Sequence, residues 1–156
     1  MMPGEAYNKC LKEKRRILEL EELISTDSQY SYWYSLNIIK GPWGLGEEAI
    51  SKNPEHSYFY SLYIIKGRLE LGEEAISKNS EYSYYYSLDI IKGPWERGEE
   101  LISRDPEWSY WYSHDVIKGP FEKSHSVIFI SDWKNDYLNF LKAIDYDMTK
   151  ITEWML

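Results

Sequence analysis

Cysteine occurs once in the 156 residues, at Cys10, which excludes an internal disulfide framework and a metal site built from several cysteines. Histidine is nearly as scarce. His56, His114 and His125 share no ligand spacing, so neither a metal nor any cofactor is expected. Basic residues number 18 against 26 acidic ones, and a net charge of −8 leaves no broad basic face to grip phosphates. Nucleic acid is therefore disfavoured as a partner. No apolar run approaches the ~18 residues of a membrane span, and no apolar signal core opens the chain. No membrane partner is expected, and the cytoplasm is the expected location. Glycine and proline are modest in number, nine and six, but their placement is regular. What the chain has in excess is aromatic side chains: 15 Tyr and 7 Trp. That excess needs an explanation, and the explanation is a repeat.

The segment 31–56 recurs as 57–82 and 83–108, and its first half returns over 109–134. The first two full copies agree at 19 of 26 positions, too many for a compositional accident. Lys40, Lys66, Lys92 and Lys118 form one invariant column, followed by Gly41, Gly67, Gly93 and Gly119. A faded copy over 5–30 places Ala6-Tyr7 in register with Ser31-Tyr32, and residues 135–156 close the other end. Degenerate copies flanking clean ones are the mark of a capped solenoid. A single domain over 1–156 is expected, since a chain of this length buries about 68–70% of its unfolded surface.

Each copy reads as two short helices. Asn53-Pro54-Glu55 and Asp105-Pro106-Glu107 supply an N-cap, a proline at the first helical position and a carboxylate in the first turn. The first helix then runs through Tyr58, Tyr60, Leu62, Ile64 and Ile65, all candidate core, to Lys66. Gly67 is expected to be the left-handed terminator. Gly41-Pro42, Gly93-Pro94 and Gly119-Pro120 are expected to place proline in the first turn of a second helix, which carries Trp43, Ala49 and Ile50 inward. Gly46, Gly72 and Gly98, with Ser31, Ser35, Ser57 and Ser61, put small residues where helices can approach closely. In the last segment Ser131-Asp132 starts a helix to Ile144, and Met148, Ile151, Trp154 and Met155 follow at helical spacing. The expected class is all-α: a short αα-hairpin repeat solenoid of about five units with degenerate caps.

The phrases Ser-Tyr-Trp-Tyr-Ser-His-Asp-Val-Ile-Lys-Gly-Pro-Phe (109–121) and Ser-Arg-Asp-Pro-Glu-Trp (103–108) carry a resemblance. Over residues 27–122 the chain resembles a tandem repeat of uncharacterised phage, large-DNA-virus and bacterial proteins, of the form Tyr-Ala-x-Asp-Val-Ile-Lys-Gly-Arg-Trp. In architecture it is similar to tetratricopeptide-type solenoids. The resemblance implies a viral or mobile-element accessory factor, in the host cytoplasm if viral, that inhibits a host defence protein. It supplies no catalytic residue.

Gly44-Leu45-Gly46-Glu47-Glu48-Ala49 spells a dinucleotide fingerprint but lies within a helical pattern, and its carboxylates would face the phosphates. The Glu pairs 47/48, 73/74 and 99/100 recur in three copies, whereas a reaction needs one unique site. Glu48→Lys52, Glu74→Lys78 and Glu100→Arg104 read as ordinary i,i+4 helix pairs, which puts these carboxylates on a solvated face. Catalytic residues are not expected, and the chain reads as a non-enzyme. The remaining column Glu47, Glu73 and Glu99 offers a minor alternative, an acidic nucleic-acid mimic, with rungs far sparser than duplex phosphates.

The aromatic columns carry the main reading. Trp33, Phe59, Tyr85 and Trp111 are flanked by Tyr30, His56, Tyr82 and Trp108 on one side and by Asp89 and Asp115 on the other. A partly exposed stripe of this kind marks a contact surface for a protein partner. Two alternatives stand beside it. Each ring stacks only on the next copy, or rings of neighbouring copies sandwich a planar or sugar-like small ligand.

Overall fold

The structure, a computed structural model, describes residues 1–155. Leu156 and the side chain of Met155 lie outside the described residues, so the expected closing cap is followed only as far as Trp154. Among the described residues there are helices and no strands. The chain divides into two compact units, Met1–Ile76 and a second beginning at Ser77.

In the first unit, α1 (Pro3–Glu13) and α2 (Leu18–Ile24) pair, then α3 (Ser28–Tyr34) with α4 (Gly44–Ile50), and then follow α5 (Pro54–Tyr60) and α6 (Glu73–Ser77). The first helices stand side by side, α1 on α3 and α3 on α5, while α2 packs on α4. The second unit repeats the pattern with α7 (Ser80–Tyr86) on α8 (Glu96–Ile102) and on α9 (Pro106–Trp111), then α10 (His125–Ile128) on α9. It closes with α11 (Lys134–Ala143) and α12 (Thr152–Met155). Helices of four to eleven residues are too short to persist alone, so packing between them supplies their stability.

The first helices opened by Asn53 and Asp105 begin where the sequence places them, and Asp27 and Asn79 cap their counterparts. The carboxylate or amide of Asp27, Asn53, Asn79 and Asp105 accepts from a backbone N–H of the first turn, at 2.9–3.2 Å. The second half of each first helix departs from expectation. Ser35–Ile39, Ser61–Ile65, Ser87–Ile91 and Tyr112–Ile117 are wound as π-helix. The Ser35, Ser61 and Ser87 hydroxyls each donate to the carbonyl four residues back, at 2.7–2.9 Å, a pattern that bends helices.

The reversal that follows corrects the glycine terminator. Lys40, Lys66, Lys92 and Lys118 take the left-handed conformation, with φ between 56° and 60°, and no glycine has positive φ. The π winding brings the turn one residue earlier. The lysine N–H and that of the next glycine both reach the carbonyl of the serine that opens the π segment. Lys14, which closes the ordinary α-helix α1 with no π segment before it, is also left-handed, with φ 52°. The proline expectation also shifts. Pro42 and Pro94 precede the second helix, because Trp43 and Trp95 intervene as extended N-cap residues.

The core is a set of columns. Tyr34, Tyr60, Tyr86, Tyr112 and Tyr137 are fully buried, as are Ile24, Ile50, Ile76, Ile102 and Ile128. Trp43, Leu69, Trp95 and Phe121 lie beneath them. Leu62, Ile64 and Ile65, expected in the core, are only half-buried, because they belong to the π segment beyond the tyrosine layer. The close approach of small residues is as read. A Cβ on Gly46 would sit 2.9 Å from the Ser31 Cβ and 2.5 Å from the Trp43 ring, and Gly98 repeats this against Ser83 and Trp95.

Candidate interaction surface

The acidic column does not lie on a solvated face. Glu73 is 4% exposed and Glu21 7%, while Glu47 and Glu99 are half-buried. The reason is a polar clasp. The Tyr60 hydroxyl accepts from the Trp43 backbone N–H at 2.8 Å and donates to Glu47 at 2.9 Å. Tyr112 repeats the arrangement with Trp95 N–H at 2.8 Å and Glu99 at 3.0 Å. Tyr34 donates to Glu21 at 2.8 Å, and Arg16 grips that carboxylate with two bonds of 2.8 and 3.0 Å. Arg68 holds Glu73 in the same bidentate fashion. The outer members Glu48 and Glu100 form exposed i,i+4 pairs read from the sequence, with Lys52 and Arg104.

Burial works against the Glu21 carboxylate charge, but Arg16 and the Tyr34 hydroxyl outweigh it and hold the group below its ordinary range. The Tyr60 phenol is pushed up to about 12, chiefly by burial. In the last copy His125 replaces the glutamate. Tyr137 accepts from the Phe121 N–H at 3.0 Å and shares a hydrogen bond of 2.9 Å with His125 Nε2. These phenols are bonded to groups of the fold itself, which makes the clasp a structural device. Its sequence signal was the 13-residue offset between the glutamate and tyrosine columns, visible only once both are known to be buried.

The aromatic stripe lies on the other side of the first helices. Trp33, Phe59, Tyr85 and Trp111 are all half-buried, as are Tyr30, His56, Tyr82 and Trp108, and Asp89 and Asp115. Trp33 meets Tyr30 edge-on at 5.7 Å and Tyr7 at 6.0 Å. Phe59 stacks on Tyr32 of the preceding copy and on Tyr63, which is 54% exposed. His56 stacks on Tyr32 and contacts Ser28 through Nδ1 at 2.9 Å. In the second unit Trp108 packs against Tyr84 and Tyr85, and Trp111 against Tyr110 and Trp133. Asp115 accepts from the Tyr84 hydroxyl at 2.6 Å, and Asn37 donates to Tyr7 in the corresponding position of the first unit. The structure thus brings the stripe residues together within each unit, each ring held by a neighbour and still partly open to solvent.

A groove of the first unit, about 670 Å³, is open and polar, lined by Ser25, Asp27, Ser28, Leu45, Glu48 and Lys52. No ring of the stripe lines it. Among the described residues no group of three His, Cys, Asp or Glu side chains is placed to hold a metal ion, and no helix is long and apolar enough to cross a membrane. No protein-family model, curated protein or solved structure matches this chain.

Proposed function

We propose that the chain is a non-enzymatic, protein-binding repeat protein, a short solenoid of about five copies, whose partner lies along the outer edge of the first helices. The repetition of the same contacts in both units supports the solenoid arrangement: first helix on first helix, and a tyrosine clasp at each second helix. One observation carries the binding surface. Trp33, Phe59, Tyr85 and Trp111 are fixed by ring contacts from neighbouring positions while each keeps a solvent-facing part. Rigid aromatic groups of this kind lose little entropy on binding and commonly dominate interface energetics. The likeness of the repeat to those of phage and large-DNA-virus proteins directs the search for the partner to host proteins, defence proteins among them.

The test is a pull-down from the native host followed by affinity measurement with Trp33→Ala plus Trp111→Ala. The double variant should keep its helical circular dichroism and bind the captured partner more than about tenfold more weakly, since a hot-spot aromatic contributes at least ~2 kcal/mol. Unchanged affinity, or unfolding of the double variant, would overturn the assignment. A stabilising metabolite in a thermal-shift screen, with no protein captured, would favour the small-ligand alternative instead.

A further inference from the structure

The column Lys14, Lys40, Lys66, Lys92 and Lys118 is conformationally backwards for a residue kept only for folding. All five are left-handed, with φ between 52° and 60°, a region that disfavours a side chain and is relaxed for glycine. The next residue in three copies is a glycine that has no positive φ and would meet nothing within 4 Å if it carried a Cβ. Side chains are thus kept where they strain the backbone, with glycine where none is needed.

The ammonium groups are also unspent. Arg16, Lys52, Arg68, Arg104 and Lys123 are all in ion pairs, yet among the described residues none of the five column lysines is, and all five are exposed. Each unit places two of them at the edges of an equivalent groove. In the first, Lys14 and Lys40 border about 410 Å³ over Leu11, Asn37 and Ile38. In the second, Lys92 and Lys118 border about 380 Å³ over Leu88, Asp115 and Val116. Asp115 is engaged by Tyr84 and His114 rather than by either lysine.

We propose that these grooves bind an acidic, extended segment of a partner protein, its carboxylates on the lysines and the apolar side chains between them on the aliphatic floor. This rests on the reading of the first-helix edge as a protein-binding surface and names the chemistry of what it binds. Packed helices stand ~8–10 Å apart, so successive lysines are spaced for carboxylates about three residues apart on an extended chain. The same spacing is far sparser than the ~1.7 Å charge interval of duplex DNA. A protein segment with intermittent carboxylates fits; a nucleic acid does not.

The probe is a fluorescein-labelled peptide with Glu at every third position and Val or Leu between, titrated onto the full chain beside its Gln-for-Glu counterpart. The Glu peptide should bind, more weakly as salt rises. Lys40→Gly with Lys92→Gly and Lys118→Gly should weaken it about tenfold, as the loss of several exposed ion contacts implies. The same triple variant should melt no lower than wild type, because glycine relaxes the three turns. Lys→Asn at the same positions, which also tolerates the left-handed region, should reproduce the loss, and Lys→Arg should restore binding. Full affinity in the Gly or Asn variants, equal binding of the Gln peptide, no binding of the Glu peptide, or preference for single-stranded DNA of equal charge would overturn the inference. The Trp33 and Trp111 variants test the aromatic edge separately, so either idea can fail while the other stands.

Discussion

A phenol has one proton to give and room to accept, and Tyr60 uses both, on Glu47 and on the Trp43 N–H. Tyr60→Phe strips a partner from each at once and should cost about 1–3 kcal/mol in a urea denaturation curve. Tyr63→Phe, at a ring more than half exposed, should leave the midpoint unchanged. His125 gives the same site a pH dependence. Burial pushes the imidazoles of His125 and His56 below their ordinary value, so below about pH 6.5 the unfolded chain takes up protons that the folded chain resists. The stability is therefore complete above that pH and is lost as pH falls through the lowered values. The melting temperature should drop between about pH 7.5 and 5, and His125→Gln, whose amide can bond Tyr137 without titrating, should remove part of the drop. The sequence showed the glutamate pairs but not that the inner member of each is at least half-buried. Glu48 and Glu100 have an i,i+4 lysine or arginine partner that reads as a surface pair, while the partner of the inner glutamate is a tyrosine in the next helix.

At the scale of the element, the helix starts were legible because a cap is a local matter. Asn53 and Asp105, the two caps read from the sequence, bond residues two or three positions away, as do Asp27 and Asn79 in the structure. The helix ends were not. The cue Lys-Gly suggests a left-handed glycine, and only the π winding of the preceding five or six residues moves the reversal onto the lysine. The aromatic stripe was legible as a stripe, from its columns, but its degree of exposure depends on ring contacts between copies that no single helix pattern contains. The corrected geometry reorders the glycines. Gly93→Ala should be neutral or stabilising by up to about 1 kcal/mol, since its added methyl meets nothing and the unfolded chain loses freedom. Gly98→Ala should cost about 1–3 kcal/mol, because the methyl would collide with Trp95 and Ser83. Differential scanning calorimetry on the pair decides whether the second helix or the lysine turn is the tight point of each copy.

At the scale of the whole molecule, stability built from recurring neighbour contacts should tolerate changes of length in whole copies and not in fractions. Excising residues 57–82 should leave a helical protein that melts cooperatively at a lower temperature. Excising 57–69 should abolish the transition, because Tyr60 and Leu69 would vanish while their partners stay. Circular dichroism melts of the two deletions read the difference directly. The clasp also bears on how the chain is made. Its glutamate lies 13 residues from the tyrosine and its backbone donor 17, so each closes a short loop and none waits for the far end of the polypeptide. Contacts this local favour fast folding, and a nascent chain can lock its first clasp once little more than one copy has cleared the ribosome, adding each later copy onto a finished template.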